Sequence, residues 1–211
     1  MQIAILLFDR FTTLDAVGPY EILSRLPGAE TRFVAEQAGP VGNDVGTLQL
    51  VAEATLPEVP SPDIIVVPGG PGQSAQMADG PVHQWLRQAD HTSTWTTSVC
   101  TGSLILAAAG LLTDRRATSH WLAHDELSRF GGKPTQQRVV VDGKYVTAAG
   151  VSAGIDMALT LAAHIAGDEV AQAIQLGTEY DPQPPFDAGA PDKAPAHITE
   201  LLRSRSRFVL G

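Results

Sequence analysis

The sequence predicts an α/β domain built on a largely parallel, doubly wound sheet. Three observations carry that expectation. Short, unbroken apolar runs such as Ile3-Ala-Ile-Leu-Leu-Phe8 and Ile64-Ile-Val-Val67 have the pattern of parallel strands covered on both faces. Segments with helical spacing alternate with those runs, as crossover connections require. The residues with chemical potential, Asp15, Gly69-Gly70 and Cys100, all fall just past a strand, where open α/β sheets gather their ligands.

Taken in order, residues 3–8 are the first strand, residues 12–15 a polar approach, and residues 16–26 a helix that Pro27-Gly28 ends. Residues 31–36 are the next strand, and the glycine-rich residues 39–46 read as a loop or hairpin. Three prolines between residues 57 and 62 lead into the strand of residues 64–67, which stops at Pro68-Gly-Gly-Pro-Gly72. A helix over residues 81–89 has proline at its favoured first position. Residues 95–99 are a strand, and residues 102–109 a helix closed by Gly110. A shorter strand near residues 117–120 precedes a helix over 122–130, which Gly131-Gly132 ends. Residues 138–141 and 145–148 flank Asp142-Gly143, a favoured two-residue hairpin turn. Helices over 150–166 and 169–180 complete the pattern. No repeat or linker interrupts it, so residues 1–211 are expected to form one domain.

A chain of 211 residues buries roughly 70% of its unfolded surface, so it needs no disulfide or metal staple. The single cysteine, Cys100, excludes an intrachain disulfide and a cysteine-rich zinc site. Against 23 acidic residues stand 14 basic ones, a net charge of −9, which disfavours a nucleic-acid partner. The one basic run, Arg203, Arg205 and Arg207, reads as a solvated tail. The apolar N-terminus lacks the basic flank and cleavage site of a signal peptide. The longest apolar helical stretch falls short of the ~20 residues a membrane span needs. A cytoplasmic protein without a membrane partner is expected.

Thr97-Ser-Val-Cys-Thr-Gly102 places Cys100 between a β-rich run and good helix formers, the setting of a nucleophile elbow. On such a turn the side chain is expected to be exposed above a helix N-terminus, which lowers the thiol pKa below its usual ~8.5. The Thr101 amide would face charge developing on a substrate, and Gly69-Gly70 would supply a second amide opposite it. The alternative for Cys100 is a buried structural thiol, and for the glycines an ordinary turn. Asp15 would face Cys100 if their strands are neighbours, as a proton carrier or as a helix cap. Glu21, six residues further on, is at best a support. His120 could reach the same rim and pair with the thiol, or simply bond to a backbone carbonyl. His120 and His124 are four apart, but no further ligand at a recognised spacing supports a metal, so none is expected. Trp121 reads as an apolar wall and the other histidines as surface residues.

Five motifs occur in a telling order: Leu14-Asp-Ala-Val-Gly-Pro-Tyr-Glu21, Val67-Pro-Gly-Gly70, Thr97-Ser-Val-Cys-Thr-Gly102, Ala117-Thr-Ser-His-Trp121 and Ala149-Gly-Val-Ser-Ala-Gly-Ile-Asp156. Together they resemble the ThiJ/PfpI superfamily, the class I glutamine-amidotransferase-like fold. The stretch Gln175-Leu-Gly-Thr-Glu-Tyr-Asp-Pro-Gln-Pro-Pro-Phe-Asp-Ala-Gly189 is similar to the isonitrile hydratase branch. The resemblance implies a flavodoxin-like sandwich, a homodimer, and no metal or organic cofactor. It also implies an enzyme, a hydro-lyase that adds water to an isonitrile and releases an N-substituted formamide. Carried over by motif, Cys100 is the nucleophile, Asp15 the acid/base and Thr101 the adjoining threonine. Gly70, with Gly69, His120 and Glu21 around it, marks the substrate side. Chaperone and glyoxalase relatives usually have glutamate where this chain has Asp15, and the shorter carboxylate leaves room beside the sulfur. Two rivals share most of these motifs. One is a ligand sensor like those of AraC-type regulators, whose helix-turn-helix region of roughly a hundred residues the few residues past Arg207 could not supply. The other is a glyoxalase- or protease-type thiol enzyme of the same superfamily.

Overall fold

The computed structural model describes residues 1–205. Its first strand, β1 (Gln2–Leu6), is wholly apolar after Gln2 and is an interior strand of a seven-stranded sheet. The first helix, α1 (Thr13–Leu23), begins three residues before its expected start and takes Asp15 into its first turn. Strand β2 (Glu30–Ala35) pairs parallel with β1. The glycine-rich segment resolves as a hairpin, β3 (Gly39–Gly42) with β4 (Gln49–Ala52), followed by the short β5 (Ala54–Thr55) on the sheet edge. Strand β6 (Ile64–Val67) lies on the other side of β1, with α2 (Pro81–Asp90) and β7 (Trp95–Val99) next.

Helix α3 (Gly102–Ala108) leaves β7 directly. The strand expected near residues 117–120 is only β8 (Arg116–Ala117), paired with β9 (Lys133–Pro134) outside the main sheet, and the helix between them, α4 (His124–Arg129), starts after a single 3-10 turn. Strands β10 (Val139–Asp142) and β11 (Tyr145–Ala148) form an antiparallel hairpin. Asp142 pairs with Tyr145, so the turn residues are Gly143 and Lys144, one place later than expected. Helices α5 (Ala153–Ala166) and α6 (Asp168–Gly177) follow, then α7 (Ala196–Ser204). That last helix was hidden in a segment whose arginines suggested a solvated tail; Arg207 lies outside the described residues.

The sheet order is β10-β11-β7-β6-β1-β2-β5, parallel except for the β10–β11 pair. The α/β expectation therefore holds, and buried strands explain the unbroken apolar runs. On one side α1 packs against α5 and α5 against α6; on the other α3 packs with α2 and α4. Helix α1 packs closely on α5, and small residues allow the approach. A Cβ on Gly18 would meet Ile155 at 3.2 Å, and one on Gly154 would meet Val99 at 3.0 Å and Pro19 at 3.3 Å. Not every histidine is at the surface: His83 is buried, its Nε2 2.7 Å from the Gln76 carbonyl. Among the described residues no helix is long and apolar enough to cross a membrane.

After β1 the chain proceeds to β2 on one side, and after β6 it proceeds to β7 on the other. The switch point lies between β1 and β6, where connections diverge and leave a crevice. Asp15, Gly69 and Cys100 follow β1, β6 and β7 respectively, so all three arrive at this crevice.

Candidate active site

Cys100 is the residue on which β7 turns into α3. Its φ is 58°, a left-handed conformation that costs a non-glycine residue on the order of 1–2 kcal/mol. Four hydrogen bonds hold it there. The Cys100 amide donates to the carbonyls of Ala148 at 3.1 Å and Ala149 at 2.8 Å. The Cys100 carbonyl accepts from the hydroxyls of Ser119 at 3.1 Å and Ser103 at 3.2 Å. The elbow is present as expected, but the side chain is not exposed: Cys100 has 0% relative accessibility.

Burial changes the electrostatics that the sequence suggested. It pushes the Cys100 thiol well above its ordinary pKa, and the charge of Asp15 adds to the effect. The amides of Thr101 and Val151, which hydrogen-bond to the sulfur, offset only part of it. The expected lowering of the thiol pKa by the α3 N-terminus is therefore overturned, because desolvation outweighs two amide dipoles. Asp15 is buried beside the sulfur, in hydrogen-bond contact with the thiol. Burial raises its carboxyl from 3.8 to about 7, although the Gly69 amide opposes the shift. Two acids that both resist ionising hold a proton between them near neutral pH.

The glycines act one step back from where they were expected. The Gly69 amide donates to Asp15 Oδ2 at 2.9 Å, and the Gly70 amide donates to Thr101 Oγ1 at 3.0 Å. Both amides are thus spent on positioning the carboxylate and the threonine, rather than facing open space for a substrate. The Thr101 amide likewise faces the cysteine sulfur. Close approach explains the residue choice: a Cβ on Gly69 would lie 2.5 Å from the Thr101 nitrogen. Gly70 has a φ of 133°, and a Cβ there would lie 2.5 Å from the Thr12 nitrogen. Asp15 does not cap its helix, since Thr12 occupies that position. Its Oδ1 is buried without a nitrogen or oxygen partner.

Glu21 does not belong to the site. Six residues along a helix turn the side chain about 240° away from Asp15, and Glu21 lies exposed in an ion pair with Arg25 at 2.6 Å. His120 does reach the rim, although it is not on a strand. Its Nδ1 accepts from the Leu122 amide at 3.3 Å, and its ring stands against Gly150, where a Cβ would be 3.1 Å from Cδ2.

A cleft of about 540 Å³ lies next to the elbow, and neither Cys100 nor Asp15 lines it directly. Ser119, Ala149 and Val151, each hydrogen-bonded to Cys100, line the end next to the thiol. His120, Trp121, Arg138 and Arg203 line the remainder, with residues 189–192. Arg138 is fixed by ion pairing to Asp156 and by a 3.2 Å bond to Ser152, and the Tyr180 hydroxyl donates to the other Asp156 oxygen at 2.7 Å. The sequence reading missed Ser103, the Val151 amide, Arg138 and Arg203. Ser119 and Val151 lay inside motifs that were noticed, whereas Arg138 and Arg203 carry no local signature. Among the described residues no three His, Cys, Asp or Glu side chains are grouped to hold a metal.

A buried thiol and carboxyl, meeting at an elbow at the switch point of a doubly wound sheet, define an α/β thiol–carboxyl protein. This chain belongs to the DJ-1/PfpI family, whose model matches residues 1–164. It is similar to the isonitrile hydratase of Pseudomonas putida, with 44% identity over 206 residues, 98% of this chain and 90% of that protein. It is also similar to the HTH-type transcriptional regulator CdhR of Pseudomonas aeruginosa, with 31% identity over 79% of this chain but only 50% of the regulator. The crystal structure of a ThiJ/PfpI family protein from Pseudomonas syringae matches with a TM-score of 0.95 and 40% identity, over 98% of this chain and 86% of that one.

Proposed function

We propose that this protein is an isonitrile hydratase, with Cys100 as nucleophile, Asp15 as acid and base, and Thr101 beside them. The observation that carries the reading is the buried Cys100–Asp15 pair one residue behind the wall of a cleft, in a chain 44% identical to an isonitrile hydratase over 98% of its length. An isonitrile suits so enclosed a thiol. Its reactive end is a slim, linear pair of atoms that can pass between small residues while the substituent stays in the cleft.

The chemistry follows from the proton that Asp15 and Cys100 share. The sulfur bonds to the terminal carbon of R–N≡C, and the thiol proton passes through Asp15 to the same carbon, giving the thioimidate R–N=CH–S. Water then adds to that carbon. One of its protons goes to the Asp15 carboxylate, and the imine nitrogen takes a proton in turn, giving R–NH–CH(OH)–S. The C–S bond breaks, the hydroxyl proton returns through Asp15 to the sulfur, and the formamide R–NH–CHO leaves. A carboxyl with a pKa of about 7 suits both directions of transfer at neutral pH. The same reading carries a homodimer in the cytoplasm, one domain per chain, working without metal or organic cofactor.

Incubation with isonitriles and, separately, with methylglyoxal tests the class by its product. Formamide from an isonitrile, lost in Cys100→Ala, is expected. Lactate from methylglyoxal without any formamide would instead place the protein with glyoxalase-type relatives. Tight binding of an isonitrile without turnover would make it a sensor, the reading that the partial similarity to a transcriptional regulator favours.

A further inference from the structure

The cleft beside Cys100 has a wall that the family match does not reach. The matched residues end at 164, whereas residues 189–192 and Arg203 of α7 also line the cleft. Arg203 sits over an aromatic face: its guanidinium lies 5.7 Å from the centre of the Trp121 ring. Among the described residues no carboxylate forms an ion pair with it. Arg138, the other guanidinium in the cleft, is by contrast held by Asp156 and Ser152. A second group lacks a partner at the same cleft. The hydroxyl of Thr118 is fully buried, lines the cleft and makes no hydrogen bond. Asp192 is the one carboxylate among the described lining residues, exposed on the loop before α7, and it does not come within ion-pairing distance of Arg203.

From this we infer that the preferred substrates are isonitriles whose substituent carries a carboxylate, bound by the exposed Arg203 that lines the cleft. This inference rests on the hydratase reading and specifies the substrate class. A carboxylate supplies acceptors that match the fork of a planar guanidinium with which no described carboxylate pairs. A hydrocarbon substituent of equal size would cover the same donors and leave them unbonded, which costs affinity. Arg203 is the specificity-determining residue: it acts on the substituent and takes no part in the bond changes at carbon.

The test compares two isonitriles of equal shape, para-isocyanobenzoate and para-isocyanotoluene, at physiological ionic strength. The expected kcat/KM ratio favours the anionic substrate on the order of tenfold, through KM, as one charge-assisted contact allows. In Arg203→Gln the ratio is expected to fall towards one, and Arg203→Lys should restore part of it. A ratio at or below one in the unaltered protein overturns the inference, and so does a ratio that Arg203→Gln leaves unchanged; formamide production would still support the hydratase reading in both cases. Formamide from neither compound overturns that reading, and the inference with it.

Discussion

The Asp15 carboxyl and the Cys100 thiol meet in the interior, where the carboxylate raises the cost of ionising the thiol while the thiol's hydrogen bond favours the carboxylate. The sulfur draws two backbone amides, from Thr101 and Val151, and the carboxylate draws one, from Gly69. Burial still dominates both groups. The site is therefore a store for one proton rather than a preformed thiolate, which is the property an addition of thiol across a carbon needs.

That relationship predicts the pH dependence of stability. The carboxyl titrates at 3.8 when unperturbed and about 7 in the folded protein. Between those values the native state holds a proton that the unfolded chain has lost. The stabilising contribution is complete below pH 4 and disappears as pH rises through 7. Its size is on the order of 4 kcal/mol. Asp15→Asn removes the titration, so urea unfolding should show the variant gaining stability relative to the parent from pH 5 to pH 8. A difference that stays flat over that range would mean the carboxyl is not buried as described.

The glycine at 69 predicts a steric rather than an electrostatic loss. A methyl group there would meet the Thr101 nitrogen at 2.5 Å and its hydroxyl oxygen at 2.6 Å, so one loop must move. Gly69→Ala should cost roughly 1–3 kcal/mol, typical of overpacking, and misplace Asp15 and Thr101 together. Gly177→Ala, with nothing within 4 Å of its new methyl, serves as the comparison and should leave the thermal midpoint nearly unchanged. Equal midpoints for both variants would contradict the close packing of β6 against the elbow.

Much of this was legible in the sequence, and the reasons for the rest are physical. Unbroken apolar runs marked β1 and β6, and position after a strand marked Asp15, Gly69 and Cys100. Burial was not legible, because no local pattern shows whether α5 and the residues before it will cover a thiol 50 residues away. The electrostatic sign at Cys100 was therefore read backwards. Glu21 was misjudged through proximity in sequence, although helical geometry turns it outward. Helix α7 was overlooked because its one buried residue, Thr199, leaves hardly any apolar stripe facing inward. Arg203 acquires its place only through Trp121, more than 80 residues earlier.

At the opposite end of the sheet, Asp90 predicts a change in stability without a change in chemistry. Its carboxylate accepts from Thr96 at 2.6 Å and from the Tyr145 hydroxyl at 2.9 Å, and pairs with Lys144 at 3.1 Å. These contacts tie α2 to the starts of β7 and β11. Burial and then the Asp90 bond hold the Tyr145 phenol up to about 12. Asp90→Asn should cost roughly 1–3 kcal/mol and bring one phenolate transition in ultraviolet titration down towards 10, while product formation persists. An unchanged titration would show that burial alone sets that phenol.

The final prediction concerns the two hydroxyls on the Cys100 carbonyl. Ser103 comes from α3, one turn past the elbow, and Ser119 from the segment between β8 and α4, so they clamp the strained residue from two directions. Removing one hydroxyl leaves the other, and each single alanine variant should lose about 1 kcal/mol. Removing both leaves a buried carbonyl without a partner, and the combined loss should exceed the sum of the singles because the two act on one atom. The chain has a single cysteine, so iodoacetamide reports on this site alone. In the double variant alkylation should become faster, and its inflection near pH 7, inherited from Asp15, should weaken as the sulfur drifts from the carboxyl. Ser119→Thr, which keeps a hydroxyl, should recover most of the parental profile. If the double variant melts earlier but is alkylated with the parental rate and inflection, the hydroxyls support the loop without positioning the thiol.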